Sequence, residues 1–149
     1  MKVIEVIDKC EALLDVPFTR EDLVKCFNVI EQELARDHFP LYATHQCNSK
    51  VVRFDEFEYA PVRIVMCDSK FKLHPTHMES KKEIHHIQYA YVPNNKELLD
   101  ECSYGAEFLD CLVHGIITEY LCSQHFFEEA IVWDKKYKKE IQALYEVKE

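Results

Sequence analysis

The sequence predicts a mainly α-helical chain with a β insert, in the α+β class. Three observations lead to this prediction. Apolar residues recur at three- and four-residue steps near both ends of the chain, as they do on one face of a helix. Between about residues 50 and 93 the pattern changes to β-branched and alternating. The expected fold is a four-helix bundle-like core with a small antiparallel β-sheet or hairpin inserted between two helix pairs. A length of 149 residues indicates a single domain, residues 1–149.

Two helices are predicted near the N-terminus, over about residues 3–14 and 20–37. Pro17 separates them, and Thr19 is a suitable N-cap for the second. The apolar stripe of the first comprises Val3, Val6, Ile7, Cys10, Leu13 and Leu14, and that of the second Leu23, Cys26, Phe27, Ile30 and Leu34.

The middle of the chain is predicted to contain three or four short strands. Residues 42–50 are polar without a clear period and are expected to form a loop. Strands are expected at 50–54, 62–67 and 83–92, the last being the longest. Residues 70–73 are expected to return as a hairpin across Asp68 and Ser69, and residues 96–102 to form a helical turn.

The C-terminal part is predicted to be a helical hairpin over about residues 106–122 and 126–146. The connection at residues 122–125 is short, so the two helices should be antiparallel neighbours. Their apolar faces comprise Phe108, Leu109, Leu112, Ile116, Tyr120 and Leu121 on the first helix, and Phe127, Ala130, Trp133, Tyr137, Ile141 and Leu144 on the second. Gly115 in mid-helix predicts the close approach of another helix.

The composition excludes several classes of function. Only two glycines occur, so neither a phosphate-binding loop nor a dinucleotide fingerprint can be present. A net charge of −9 argues against a nucleic-acid-binding surface. The seven cysteines are odd in number and lack metal-binding spacing, and Cys10, Cys26, Cys111 and Cys122 fall at or beside apolar helical positions. This usage is typical of a reducing compartment. No segment has the composition of a signal peptide or a membrane span.

Four histidines suggest a metal site: His74, His77, His85 and His86. Adjacent strand residues point to opposite faces, so His85 and His86 cannot both face one ion without a bulge. The favoured interpretation is therefore solvated histidines on an exposed hairpin, with no metal ion and no cofactor.

A thiol nucleophile is the second chemical candidate. Cys111 lies three residues before His114, which would permit a dyad, but no oxyanion donors are evident and nearby acids would raise the thiol pKa. His114 and Glu119 diverge around the helix axis and make poor co-ligands. No catalytic residue is predicted, and the chain is not expected to be an enzyme.

One basic segment stands out at residues 135–139, with Lys135, Lys136, Lys138 and Lys139 around Tyr137. The default interpretation is a solvated helix face. In an acidic protein this segment also suits the acids of a neighbouring copy, such as Glu128 and Glu129, or Asp55, Glu56 and Glu58.

The chain resembles small structural proteins from the head–tail module of tailed phages and prophages, the head–tail connector or adaptor proteins. The resemblance spans most of the chain and is carried by residues 87–93, 115–120, 127–130 and 133–137. It implies a helical bundle with an inserted β element, assembled as a homo-oligomeric ring, often of twelve copies, between portal and tail proteins. DNA would pass through the channel without sequence-specific binding, and no membrane would be involved.

The expected function is therefore that of a non-enzymatic virion assembly protein, located in the virion and made in the host bacterial cytoplasm. Two alternatives remain open. One is a small cytosolic interaction module with the same bundle, and the other is a metal-dependent or thiol enzyme that uses the histidine cluster.

Overall fold

The computed structural model describes residues 1–148, with the side chains of residues 147 and 148 excepted. The described chain contains four α-helices and a four-stranded antiparallel sheet, and so belongs to the α+β class. It divides into two compact units. The helical unit comprises residues 1–31 together with those from 95 onward, and the sheet unit comprises residues 32–94.

The helices are α1 (Val3–Leu13), α2 (Arg20–Glu33), α3 (Leu109–Ser123) and α4 (Phe127–Lys148). The strands are β1 (Leu41–Arg53), β2 (Ala60–Cys67), β3 (Phe71–Leu73) and β4 (His77–Val92). A π-helical turn at Leu34–His38 follows α2, and short 3₁₀ turns occupy Phe54–Glu56 and Ala106–Phe108. No described helix is both long and apolar enough to cross a bilayer.

The apolar stripes predicted from the sequence form most of the core of the helical unit. Helix α3 packs against α1 and α4. Every residue of the stripe predicted for the second helix is buried, although Leu34 lies in the π-helical turn that follows α2. Thr19 caps α2 by accepting a hydrogen bond from the Asp22 amide at 3.2 Å. The stripes are wrong at their ends, where Leu13 is 43% exposed and Phe127 is 56% exposed.

Gly115 lies where three helices meet. A Cβ atom at this position would lie 2.8 Å from Ile30 Cγ2 on α2 and 2.8 Å from Tyr137 Cε1 on α4. Both distances are too short for an ordinary contact, so the glycine allows these helices to approach. The close approach predicted from the sequence is confirmed.

A buried carboxylate fastens the segment after residue 95 to α2. Glu31 is the one charged residue that is buried within residues 1–146, and its carboxylate accepts hydrogen bonds from Lys96 Nζ at 2.6 Å and from the Ser103 amide at 2.9 Å. Lys96 Nζ also donates to the Ser103 hydroxyl. One turn earlier on α2, the Asn28 side chain accepts from the Lys96 amide at 2.8 Å and donates to its carbonyl at 3.1 Å.

The sheet unit is built around β4. Strand β1 borders one edge of β4 along most of its length, and β2 and β3 pair successively with the other edge. Register shifts in β1 occur between Gln46 and Ser49 and between Ser49 and Val51. The sheet has a hydrophobic core of its own, which comprises Val52, Phe57, Met78, Ile84, Ile87 and Tyr89.

The prediction of a helical bundle with a small β hairpin is therefore wrong. The sheet has four strands, two of them with 13 and 16 residues, and it contains a cluster of buried apolar side chains of its own. Residues 42–50 form most of β1 and are not a loop. Strand β3 pairs with β4 and does not return onto β2. Within residues 96–102 the structure has one hydrogen-bonded turn, in which the Asp100 amide donates to the Glu97 carbonyl at 3.1 Å, and no helix.

Replacing Gly115 with alanine should lower the free energy of unfolding by about 1 kcal/mol. The added methyl group collides with Ile30 and Tyr137, and this overpacking outweighs the gain of about 1 kcal/mol in helix propensity. Urea denaturation of Gly115→Ala measures the change. Ile30→Leu removes the nearest methyl group, so the loss should be smaller in that background. A more stable Gly115→Ala protein would contradict the close approach.

Glu31→Gln should destabilise the protein by about 3 kcal/mol, because the Lys96 ammonium, with its side chain 15% exposed, would lose its charged partner. Glu21→Gln on the same helix is the matched control. It breaks only an exposed pair with Lys25 at 3.8 Å and should change stability by less than about 0.5 kcal/mol. Adding Lys96→Met to Glu31→Gln should recover part of the loss in chemical denaturation, and equal effects of the two glutamate changes would contradict the argument.

Candidate metal centre

Three potential metal ligands converge at the hairpin between β3 and β4. One nitrogen from His74, one from His77 and one oxygen from Glu79 all lie within 4.8 Å of one another. It is the one such group of three or more histidine, cysteine or acidic residues found among the residues that the structure describes. Both histidines are partly buried, and Glu79 is exposed.

The hairpin geometry explains why these side chains meet. Leu73 pairs with Met78, and the His74 amide donates to the His77 carbonyl at 2.9 Å, so His74 and His77 flank the two-residue turn of Pro75 and Thr76. Side chains that flank a tight turn lie side by side on one face of the hairpin. Glu79 is two residues beyond His77 on the same strand, which places it on that face as well.

Local contacts fix the orientation of the two imidazole rings. Their centroids are 4.4 Å apart and their planes differ by 14°, so the rings stack. His77 Nδ1 lies 3.0 Å from the Thr76 hydroxyl, and His74 Nε2 lies 3.0 Å from Glu79 Oε2. In the tautomer whose Nδ1–H donates to the Thr76 hydroxyl, the Nε2 lone pair of His77 is available to an external ligand.

Two cationic side chains are strand partners of the potential ligands, and one of the two is neutralised by an ion pair. Arg53 pairs with His77 across β1 and β4, but its guanidinium is held by Asp55 at 3.2 Å. Lys72 pairs with Glu79 across β3 and β4, and antiparallel partners present their side chains on the same face. Lys72 is therefore the cation that most directly opposes a metal ion at this position.

The structure brings together only half of the four histidines singled out in the sequence. His85 and His86 lie farther along β4, where both are exposed and neither belongs to the convergent group. Their backbone amides donate to the Asp68 carboxylate at 3.1 and 3.3 Å. These hydrogen bonds hold the pKa of Asp68 below its ordinary value, and the one from the His85 amide has the largest effect.

Sequence reasoning missed Glu79. The expected hairpin across Asp68 and Ser69 placed β3 beside β2, and so the turn between His74 and His77 was not recognised. The available signal was the pattern His-Pro-Thr-His-x-Glu, in which proline marks a turn and the acid follows the second histidine by two residues.

The thiol candidate has no access to a substrate. Cys111 is 1% exposed, and the His114 ring lies against Trp133, with 5.6 Å between the ring centroids. Burial likewise raises the pKa of the Cys10 and Cys26 thiols to about 12, which leaves them as weakly polar core residues. Cys122 differs from the expectation because it is exposed.

His114 should make stability depend on pH. Burial lowers its pKa, although Glu140 on α4 and Asp110 on α3 oppose this, and Lys136 and Lys9 add to it. At pH values between the pKa of His114 in the folded protein and its unfolded value of 6.5, the unfolded chain binds more protons than the folded chain does. The free energy of unfolding should therefore fall as pH drops from about 7.5 to about 5.5.

Urea denaturation of His114→Gln at both pH values tests this. The variant should lose less stability on acidification than the unsubstituted protein does. His86→Gln, which changes an exposed histidine, should lose as much as the unsubstituted protein. An undiminished pH dependence in His114→Gln would rule out His114 as the cause.

No protein-family model matches the chain, and no curated protein matches it either.

Proposed function

We propose that the protein is a head–tail connector, or adaptor, of a tailed phage or prophage. Copies of the chain would form a ring, often of twelve, between portal and tail proteins, and DNA would pass through it. The observation that carries this proposal is an exposed apolar strip on the first two turns of α4. Phe127, Ile131 and Val132 are 56%, 57% and 55% exposed, although the opposite side of the same helix is buried.

Phe127 belongs to one segment that carries the resemblance to connector proteins, residues 127–130, and Ile131 and Val132 lie between it and the next such segment, residues 133–137. Phe127 and Ile131 are four residues apart, as are Glu128 and Val132, so the four side chains form one continuous surface. Large apolar side chains clustered at a surface are typical of a protein interface. The charged residues of the chain favour a second copy of this chain as the partner that covers the strip.

Complementary charges support a contact between copies. Lys135 and Lys139 are exposed on α4, following the apolar strip. Glu56 and Glu58 are exposed in the sheet unit, beside the buried Phe57. A ring needs such a pair of different surfaces, because each copy contacts its two neighbours through opposite sides. The α4 surface of one copy would thus meet the acidic turn of the next.

The overall charge also agrees with a passive channel. At a net charge of −9 the protein repels phosphate, and strong attraction to DNA requires clustered lysine and arginine. A ring of such chains would let DNA pass without holding it. This function requires no catalytic residue.

Charge reversal tests the contact between copies. Lys135→Glu with Lys139→Glu should weaken self-association by about tenfold or more, because like charges would then face each other. Glu56→Lys with Glu58→Lys should have the same effect, and the four changes combined should restore assembly. Native mass spectrometry and electron microscopy of the full chain, alone and with the portal protein of the same genome, measure the assembly.

Lys81→Glu with Lys82→Glu is the matched control, since it makes the same change of net charge with two exposed lysines on β4. Assembly should survive it. Failure of the combined variant to assemble would overturn the assigned contact. The connector function itself predicts a portal gene upstream and tail genes downstream, and a genome without them would contradict it.

A further inference from the structure

We propose that His74, His77 and Glu79 bind a divalent transition-metal ion, with Zn²⁺ as the preferred ion. The site lies on the β3–β4 hairpin and uses none of the residues assigned to the contact between copies. It is therefore independent of the connector function, and either proposal can fail without the other.

The donor set selects the class of ion. Two imidazole nitrogens and one carboxylate oxygen suit Zn²⁺, and also Ni²⁺, Cu²⁺ or Fe²⁺, whereas Ca²⁺ and Mg²⁺ prefer all-oxygen sets. Three protein ligands leave at least one coordination position for water or for a group from another molecule. The site thus resembles an open zinc site more than a closed structural one.

The donor atoms are already close enough for one ion, and the two stacked imidazole rings would have to tilt so that their in-plane lone pairs converge on it. Ligands that lie about 2.1 Å from zinc are about 3.5 Å from one another in a tetrahedral site. The three donor atoms already lie within 4.8 Å, and Glu79 has an exposed side chain that is able to rotate. His74 Nε2 and Glu79 Oε2 are already 3.0 Å apart, so an ion would replace the proton that they share.

The backbone holds the two histidines in place before any ion binds. The His74 amide donates to the His77 carbonyl at 2.9 Å, and the Thr76 carbonyl accepts from the Phe54 amide at 3.1 Å. The turn is thus fixed both across the hairpin and from the segment that follows β1. Little chain entropy remains to be lost on binding, which favours a saturable site over adventitious contact.

A bound ion would also fasten the shortest strand of the sheet. Strand β3 has only three residues and pairs with β4 alone. An ion held by His74 after β3 and by His77 and Glu79 on β4 would link the two strands at the turn. Metal binding should therefore protect the amides of residues 71–80 from hydrogen exchange and leave the helical unit unchanged.

Isothermal titration calorimetry of the full, metal-free chain with Zn²⁺ tests the site. We expect one saturable equivalent per chain whose affinity falls about tenfold or more in His74→Ala, in His77→Ala and in Glu79→Gln. Lys72→Ala should strengthen binding, because it removes the cation opposite Glu79. Circular dichroism confirms that each variant is folded.

His85→Ala with His86→Ala is the matched control, since it removes two exposed histidines from the same strand. It should leave the affinity unchanged. Zinc held by cysteine would survive in His74→Ala and His77→Ala, and that result would overturn the proposal. The absence of saturable binding, or its loss in the His85 and His86 variant, would overturn it equally.

Discussion

The helical unit depends on one buried negative charge. The Glu31 carboxylate lies in the interior, where an ion without partners would be strongly unfavourable, so the fold has to deliver donors to it. Lys96 and the Ser103 amide supply them, from a segment with no regular structure of its own. The requirement to satisfy this carboxylate therefore fixes the path of the chain from residue 96 to residue 103.

The same segment also positions the N-terminus. The amides of Val3 and Ile4, which open α1 and have no partner within that helix, donate to the carbonyls of Asp100 and Leu98 at 3.0 and 2.9 Å. The Cys102 amide donates to the Met1 carbonyl at 2.9 Å. One irregular stretch is thus bound by the side chains of α2 and by the first turn of α1. Its position couples two helices that are far from it in the sequence.

The sequence was sufficient to predict the helices because their apolar residues recur with a clear period. It failed on β1, where the inward positions hold Ala43, His45, Cys47 and Ser49, which are small or polar and give no hydrophobic alternation. Those positions are partly buried while their neighbours are exposed, so the strand alternates in burial but not in hydrophobicity. The burial of Glu31 could not be predicted either, since a glutamate on a helix is typical of a solvated face. Its partners are more than sixty residues away, and no local pattern could reveal them.

The structure also separates two uses of glutamate that the sequence cannot distinguish. Glu31 has a hydrogen-bond donor on each oxygen, and all of them come from the protein, so its role is complete within the fold. Glu79 is exposed and shares one oxygen with His74, while the Nε2 atom of His77 has no hydrogen-bond partner among the described contacts. Buried polar groups are in most cases hydrogen-bonded within the fold, whereas an exposed carboxylate such as that of Glu79 can also bind a ligand from the solvent. By this criterion the buried glutamate belongs to the architecture. In the hairpin, in contrast, the donor atoms of His77 and Glu79 are not fully occupied by contacts within the described chain, so they remain able to bind an ion.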